Sequence, residues 1–285
     1  MKAKIRFGPS GNSNKFYEDG NKHTYQAAEW LANQKLNAFE YSFGRGVKMG
    51  DETAGKIANA MSQHDISVSA HAPYFINYGN PDLQKIENSH NYVLQSVLAV
   101  QAMGGNRVVV HSGVQGKEER STILQRIADN LKQMIAFLNA NTDGNFVVCP
   151  ETMGKYSQVG SFEEVFDLCL VDKKLTPCID FGHVNCVMQG GLKTVDDFKH
   201  ILNCGIDKLG RDRMQSVHVH FNKIQYGKAG EIKHLTFEDR QFGPDFEPFV
   251  QAIVDLELTP IVICESDGTQ AHDAKLMADC YERMS

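Results

Sequence analysis

Six short apolar runs in this sequence each end in a side chain able to bind a metal ion. His71 closes Ile66-Ser67-Val68-Ser69-Ala70, and His111 closes Arg107-Val108-Val109-Val110. Glu151 follows Phe146-Val147-Val148-Cys149-Pro150, and Asp180 follows Cys178-Ile179, with His183 three residues on. His220 ends Val217-His218-Val219-His220, and Glu265 ends Ile261-Val262-Ile263-Cys264. One such residue at a strand end means little. Six strand ends that deliver imidazole nitrogens and carboxylate oxygens to one place would build a multi-metal site. Neutral imidazoles mixed with carboxylates suit zinc better than magnesium, which favours an all-oxygen shell. Clustered divalent ions neutralise a phosphodiester, bring the pKa of bound water to about 7 and stabilise a leaving alkoxide, so no side-chain nucleophile is needed.

For these residues to meet, the runs must be parallel strands of one sheet. Strands are expected near residues 3–7, 37–43, 67–72, 107–111, 146–151, 176–181, 215–221 and 259–265. Several are continuous apolar runs, as strands covered on both faces are. Between them lie helical stripes near 24–34, 51–63, 82–103, 118–140, 162–171, 194–205, 246–256 and 271–283. The clearest joins Ile123, Leu124, Ile127, Leu131, Ile135 and Leu138 at the spacing of one helix face. Gly104-Gly105 ends the 82–103 helix. Eight strand–helix units in 285 residues predict an α/β chain folded as a single-domain (β/α)8 TIM barrel over 1–285. In that fold chemistry sits at the C-terminal ends of the strands, where the metal-binding residue types fall. Three long connections, 8–21, 73–82 and 222–245, would rim the same mouth.

Composition narrows the class. With 42% hydrophobic and 22% charged residues the sequence is ordinarily globular, and no apolar run approaches the roughly 20 residues of a membrane helix. Met1-Lys2-Ala3-Lys4-Ile5 leads straight toward a strand, which gives an expectation of no signal peptide and a cytoplasmic protein. The seven cysteines (149, 169, 178, 186, 204, 264 and 280) form no Cys-x-x-Cys pair, and several lie in apolar runs, so free buried thiols are expected. A net charge of −6 lowers the prior for nucleic acid, although a metal cluster with a local basic rim can still attract phosphate.

The string His71-Ala72-Pro73-Tyr74-Phe75-Ile76-Asn77-Tyr78-Gly79-Asn80-Pro81 and the segment Cys178-Ile179-Asp180-Phe181-Gly182-His183 resemble the endonuclease IV family of apurinic/apyrimidinic endonucleases. His111-Ser112-Gly113, Pro150-Glu151-Thr152, His220-Phe221-Asn222 and Cys264-Glu265 follow in the same order, so the resemblance spans nearly the whole sequence. It implies a (β/α)8 barrel with three zinc ions that cleaves DNA 5′ to an abasic site. By position, His71 and His111 would hold one zinc, with Glu151 bridging to a second. Asp180, His220 and Glu265 would complete the second, and His183 and His234 would hold the third. Tyr74 would pack into damaged double-stranded DNA, with Asn77 as a further substrate contact and Glu151 and Glu265 as the catalytic carboxylates; Arg45, in a loop that departs from the family, is read as able to reach a phosphate. Two or three Zn2+ are expected, with Mn2+ as the substitute. No membrane, no protein partner and a monomer complete the expectation.

The sequence departs from that family in three places. In Gly230-Glu231-Ile232-Lys233-His234 the family's Asp position holds Ile232, and Glu231, one residue off register, is expected to join His183 and His234 on the third metal. After the second strand a long basic stretch is replaced by Ser42-Phe43-Gly44-Arg45-Gly46-Val47, and the first strand lacks a histidine near its end. Two residues stay ambiguous. His218 points to the same side as His220 and is read as one layer deeper. Glu40 is read as a hydrogen-bonded structural group, the alternative being a substrate contact. The competing function is a sugar isomerase or epimerase of the xylose-isomerase-like superfamily with one Mn2+ or Mg2+ on Glu151, Asp180, His220 and Glu265. A non-catalytic barrel is the third class.

Overall fold

The computed structural model describes residues 4–285. Eight parallel strands form its axis: β1 (Arg6–Pro9), β2 (Ala38–Ser42), β3 (Ser67–His71), β4 (Arg107–Val110), β5 (Val147–Pro150), β6 (Cys178–Asp180), β7 (His218–Phe221) and β8 (Ile261–Cys264). Ladders join β2-β3-β4-β5 and β6-β7-β8-β1. Two seams close the ring. The Asn37 N–H donates to Phe7 O at 3.0 Å and Gly11 N–H to Glu40 O at 2.8 Å, joining β1 to β2. Thr176 N–H donates to Val148 O and Thr152 N–H to Cys178 O, each at 3.0 Å, joining β5 to β6. The chain is thus the (β/α)8 barrel read from its strand–helix repeat. The expected first strand, 3–7, lies partly outside the described residues, and β1 runs further, to Pro9, because its ladder with β8 ends at Cys264.

The main helices cover the ring: α1 (Ala27–Ala32), α2 (Asp51–Gln63), α3 (Leu83–Ala102), α4 (Arg120–Asn141), α5 (Phe162–Cys169), α6 (Val195–Leu209), α7 (Phe246–Asp255) and α8 (Gln270–Met284). Local chemistry starts them. Asp82 accepts from the Gln84 N–H ahead of α3, and Ser161/Glu164 and Thr194/Asp197 form capping boxes on α5 and α6. Each helix then buries one stripe, as Ile123, Ile127, Leu131, Met134, Ile135 and Leu138 do on α4. Full burial of each such aliphatic chain stabilises by about 1.5–3 kcal/mol.

Strand alternation divides the interior in two. Val108, Val110, Val148, Ile179, Val217, Val219 and Val262 face the helices and belong to the large hydrophobic core. Val109, Cys149 and Cys178, on the other face, make only a small separate cluster. That axial layer also holds polar groups, with Glu40, Ser69 and His218 all buried, beside the apolar Ile263 in register with His220. Gly8 is required where β1 and β2 approach, since a Cβ there would sit 1.8 Å from the Ala38 carbonyl oxygen. All seven cysteines are free, six of them buried. No helix among the described residues is long and apolar enough to cross a membrane.

Candidate metal centre

The alternation that hides the valines turns the strand-end residues inward at one rim. His71 ends β3, Asp180 ends β6, His220 lies in β7, and His111, Glu151 and Glu265 directly follow β4, β5 and β8. His183 is added by a short helix, Phe181–Val187, whose N-cap is Asp180: its Oδ1 accepts from the His183 N–H at 2.8 Å. Glu231 and His234 come from an antiparallel hairpin, Ile224–Gly227 with Gly230–His234, in the long connection after β7.

Nine of the residues read from the sequence fall into three adjoining sets, His71/His111/Glu151, Glu151/Asp180/His220/Glu265 and His183/Glu231/His234, in each of which one donor atom per residue lies within 4.8 Å of the others. Glu151 belongs to two of them. Its Oε2 is 3.2 Å from His71 Nε2 and 3.1 Å from His111 Nε2, while its Oε1 is 3.1 Å from His220 Nδ1. In the third set Glu231 Oε2 is 3.5 Å from His183 Nε2 and Oε1 is 3.8 Å from His234 Nε2.

The ring nitrogens are sorted by hydrogen bonding. His71 Nδ1 donates to Ala72 O at 2.7 Å and His111 Nδ1 to Tyr74 O at 3.3 Å. His183 Nδ1 donates to Thr152 O at 2.9 Å and His234 Nδ1 to Glu265 O at 3.1 Å. A carbonyl can only accept, so each Nδ1 carries a proton and each Nε2 faces the centre. A divalent ion would take each Nε2 in its deprotonated form, in place of the proton that the carboxylates hold there without it.

Charge is concentrated here. Burial pushes the Glu151 carboxyl up, but hydrogen bonds from His111, His220 and His71 outweigh it and hold it well below the ordinary carboxylate range. Burial lowers His71 and His183, yet Glu151 beside the first and Asp180 and Glu151 beside the second raise both to about 9. Burial raises the Asp180 carboxyl, and its Oδ2 is a buried oxygen without a hydrogen-bond partner. A buried oxygen left without a hydrogen-bond partner, among nitrogen and oxygen donor atoms that converge within 4.8 Å, fits a divalent cation. The mixed nitrogen–oxygen donors suit zinc or manganese. A fourth grouping, Cys178/His218/His220, lies deeper. There burial pushes the Cys178 thiol well up, away from the thiolate a metal would need.

A bulge explains how Glu231 reaches the third set. Gln225 pairs with Lys233 and Tyr226 with Glu231, so Ile232 has no opposite number. The extra residue turns Glu231 to the side of His234 and throws Ile232 outward, 58% exposed. Gly154 makes room beneath: a Cβ there would meet His183 Cδ2 at 2.7 Å and Glu231 Cβ at 2.9 Å.

The three expected substrate contacts differ. Tyr74 is exposed at the rim, and its N–H donates to the Gly44 carbonyl at 3.3 Å, which sets exposed Arg45 on the neighbouring loop. Asn77 spends its Oδ1 on the Gly79 and Val114 N–H groups, at 3.0 and 3.2 Å, and so ties the third and fourth loops together. Glu40, read from the sequence as a hydrogen-bonded structural group, is fully buried on Ser69 and His218, and it also lies 2.9 Å below His220. The contact with His220, across the barrel, is the part that the sequence did not announce.

A family model described as xylose isomerase-like TIM barrel matches residues 27–282. An uncharacterized protein of Methanocaldococcus jannaschii is 31% identical over 91% of this chain and 92% of its own length. A probable endonuclease 4 of Acholeplasma laidlawii is 31% identical over 59% of this chain, and the match covers only 56% of that relative. Among solved structures, a D-tagatose 3-epimerase-like protein superposes with TM-score 0.70 at 14% identity, covering 98% of both chains. Endonuclease IV from Thermus thermophilus gives 0.69 at 15%, covering 98% of this chain and 99% of that one. At such identities the structural likeness speaks for the barrel alone.

Proposed function

This chain belongs to the xylose isomerase-like TIM-barrel family, and on that footing we propose that it is a metal-dependent phosphodiesterase acting on DNA 5′ to abasic sites. The carrying observation is the shared carboxylate of Glu151, which joins the His71/His111 pair to the Asp180/His220/Glu265 set. A one-ion sugar enzyme has no use for that pair, nor for a further set on His183, Glu231 and His234. The partial match to probable endonuclease 4 proteins supports the same reading.

In this reading His71, His111 and Glu151 would hold one ion; Glu151, Asp180, His220 and Glu265 a second; and His183, Glu231 and His234 a third. Zinc, when bound, supplies charge neutralisation on a phosphodiester and ionisation of water near pH 7. The protein's own part is positioning. The carbonyls of Ala72, Tyr74, Thr152 and Glu265 fix four imidazoles, and Asp180 is anchored as a helix cap. Glu265, less buried than Glu151, is placed to orient an attacking water or take its proton. Exposed Tyr74 offers an aromatic face to a disrupted base stack, and Arg45 a charge to a phosphate.

The test is nicking of a duplex with one abasic site by metal-replete protein. Wild-type protein should cut on the 5′ side and E265Q should be slower by about 100-fold or more. No nicking by protein carrying its full metal complement would end the proposal. A second reading, one-ion sugar epimerisation, is favoured by the quartet Glu151/Asp180/His220/Glu265 taken alone. Elemental analysis separates the two: about three zinc ions per chain supports the nuclease, and one manganese or magnesium supports the epimerase.

A further inference from the structure

Glu40 is a buried carboxylate beside the metal-binding residues that the metal assignment leaves unused. It lies in the middle of β2, fully buried. Its Oε2 accepts from Ser69 Oγ at 2.8 Å and from His218 Nε2 at 2.9 Å. Its Oε1 lies 2.9 Å from His220 Nε2. That last contact is bent away from hydrogen-bond alignment, but neither Oε1 nor Nε2 has any other hydrogen-bond partner. On the far side of the same ring, Nδ1 is 3.1 Å from Glu151 Oε1 and 3.5 Å from Glu265 Oε2.

His220 is therefore the reversed member of the group. His71, His111, His183 and His234 are held at Nδ1 by backbone carbonyls and present Nε2. His220 presents Nδ1, and the carboxylate at its Nε2 comes from a strand 180 residues away in sequence, with the Cys178 thiol also near the ring. A backbone carbonyl is there whatever the side chains are; this carboxylate is there only because position 40 is Glu. Glu40 in turn is steadied by Ser69 on β3 and His218 on β7. With Nε2 donating to Glu40, the His218 Nδ1 is a bare acceptor without a partner.

We infer that Glu40 is the positioning residue for His220: it holds the ring with Nδ1 toward Glu151, Asp180 and Glu265 and strengthens that nitrogen as a donor to a divalent ion. The inference rests on the reading that this quartet holds an ion, and is indifferent to which reaction follows. A carboxylate behind a metal-binding imidazole fixes its tautomer and raises its basicity, and loss of such a partner typically weakens metal binding about 10–100-fold.

The experiment measures zinc retention in wild type, E40Q, E40D and S69A, each equilibrated in zinc-buffered solutions, with the melting temperature of each metal-free protein followed alongside. E40Q keeps the shape of the side chain and removes its charge. E40D keeps the charge and withdraws it from His220. Both are expected to bind the quartet ion about tenfold or more weakly while their metal-free forms melt near the wild type. S69A, which leaves the Glu40–His220 contact in place, should lose less. Unchanged retention in both E40Q and E40D overturns the inference, because a purely structural carboxylate would give that result. Should E40Q fail to fold, E40D carries the test alone. Wild-type crystals without anomalous zinc density at the quartet would remove the ion itself, and with it both the inference and the proposed function. Density in the wild type with undiminished affinity in the variants would sink the inference only.

Discussion

Glu231 and His234 are three residues apart on one strand, yet they face the same point, with Oε1 3.8 Å from Nε2. A regular strand would send them to opposite faces. The unpaired Ile232 between them repairs the phase. Deleting Ile232 should restore regular pairing and leave Glu231 and His234 two apart, still on one face. That variant should keep the wild-type metal count by elemental analysis, whereas E231A should lose about one ion per chain with the barrel intact by circular dichroism. An unchanged metal count in E231A would refute the third set.

Gly154 lies under the same hairpin, where the Glu231 N–H donates to its carbonyl oxygen at 2.8 Å. Gly154→Ala should push the hairpin off His183. Overpacking of this kind costs about 1–3 kcal/mol when it cannot relax, and here an exposed hairpin yields first. The expected result is a lower metal count with a small change in melting temperature. A variant with full metal content would show the hairpin to be looser than its contacts imply.

Metal removal should cost stability broadly. Glu151, Asp180 and Glu265 converge, and Asp180 Oδ2 has no hydrogen-bond partner. An ion at a thousand times its Kd stabilises the folded state by about 4 kcal/mol, which is a melting-temperature shift of roughly 5–15 °C for a chain of this size. Because buried zinc can resist chelators, metal-free protein is best made by refolding in EDTA. Coincident melting curves with and without zinc would count against a site in the core of the fold.

Away from the centre, Arg120 at the start of α4 clamps Glu164 of α5 through two bonds of 2.7 Å. Burial pushes the Glu164 carboxyl up, but Arg120 and the Ser161 and Gly160 N–H groups hold it below its ordinary value. A depressed folded pKa gives stability that is present above the unfolded value of about 4.3 and is lost as pH falls through the folded one. E164Q should therefore be destabilised by roughly 1–3 kcal/mol at pH 7, and the gap to wild type should narrow below pH 4. A gap independent of pH would mean that packing, and not charge, sets the effect.

The barrel was legible because its two signals are local. Strand runs such as Arg107-Val108-Val109-Val110 and helix stripes such as Ile123 to Leu138 each declare themselves within a short window. The meeting of His71, His111, Glu151, Asp180, His220 and Glu265 was legible for a related reason: in a parallel barrel every strand ends at one rim. What stayed hidden depends on distant or irregular geometry. No spacing rule announces the bulge at Ile232, and the alliance of Glu40 with His218 and His220 joins strands far apart in sequence. Asn77 shows another kind of silence. Its place in a motif suggested a substrate contact, and nothing in the spacing announced that its Oδ1 also accepts from two backbone N–H groups and ties two loops together.

The lumen of this barrel is mixed: Val109, Cys149, Cys178 and Ile263 share it with Glu40, Ser69, His218 and His220, and the great mass of greasy side chains lies in the annulus between strands and helices. Cohesion and chemistry are thus lodged in separate compartments. Lumenal side chains are relieved of most packing duty, so the same scaffold tolerates wholesale rewriting of its central ligands, and one architecture can host catalysts as unlike as a nuclease and a sugar epimerase.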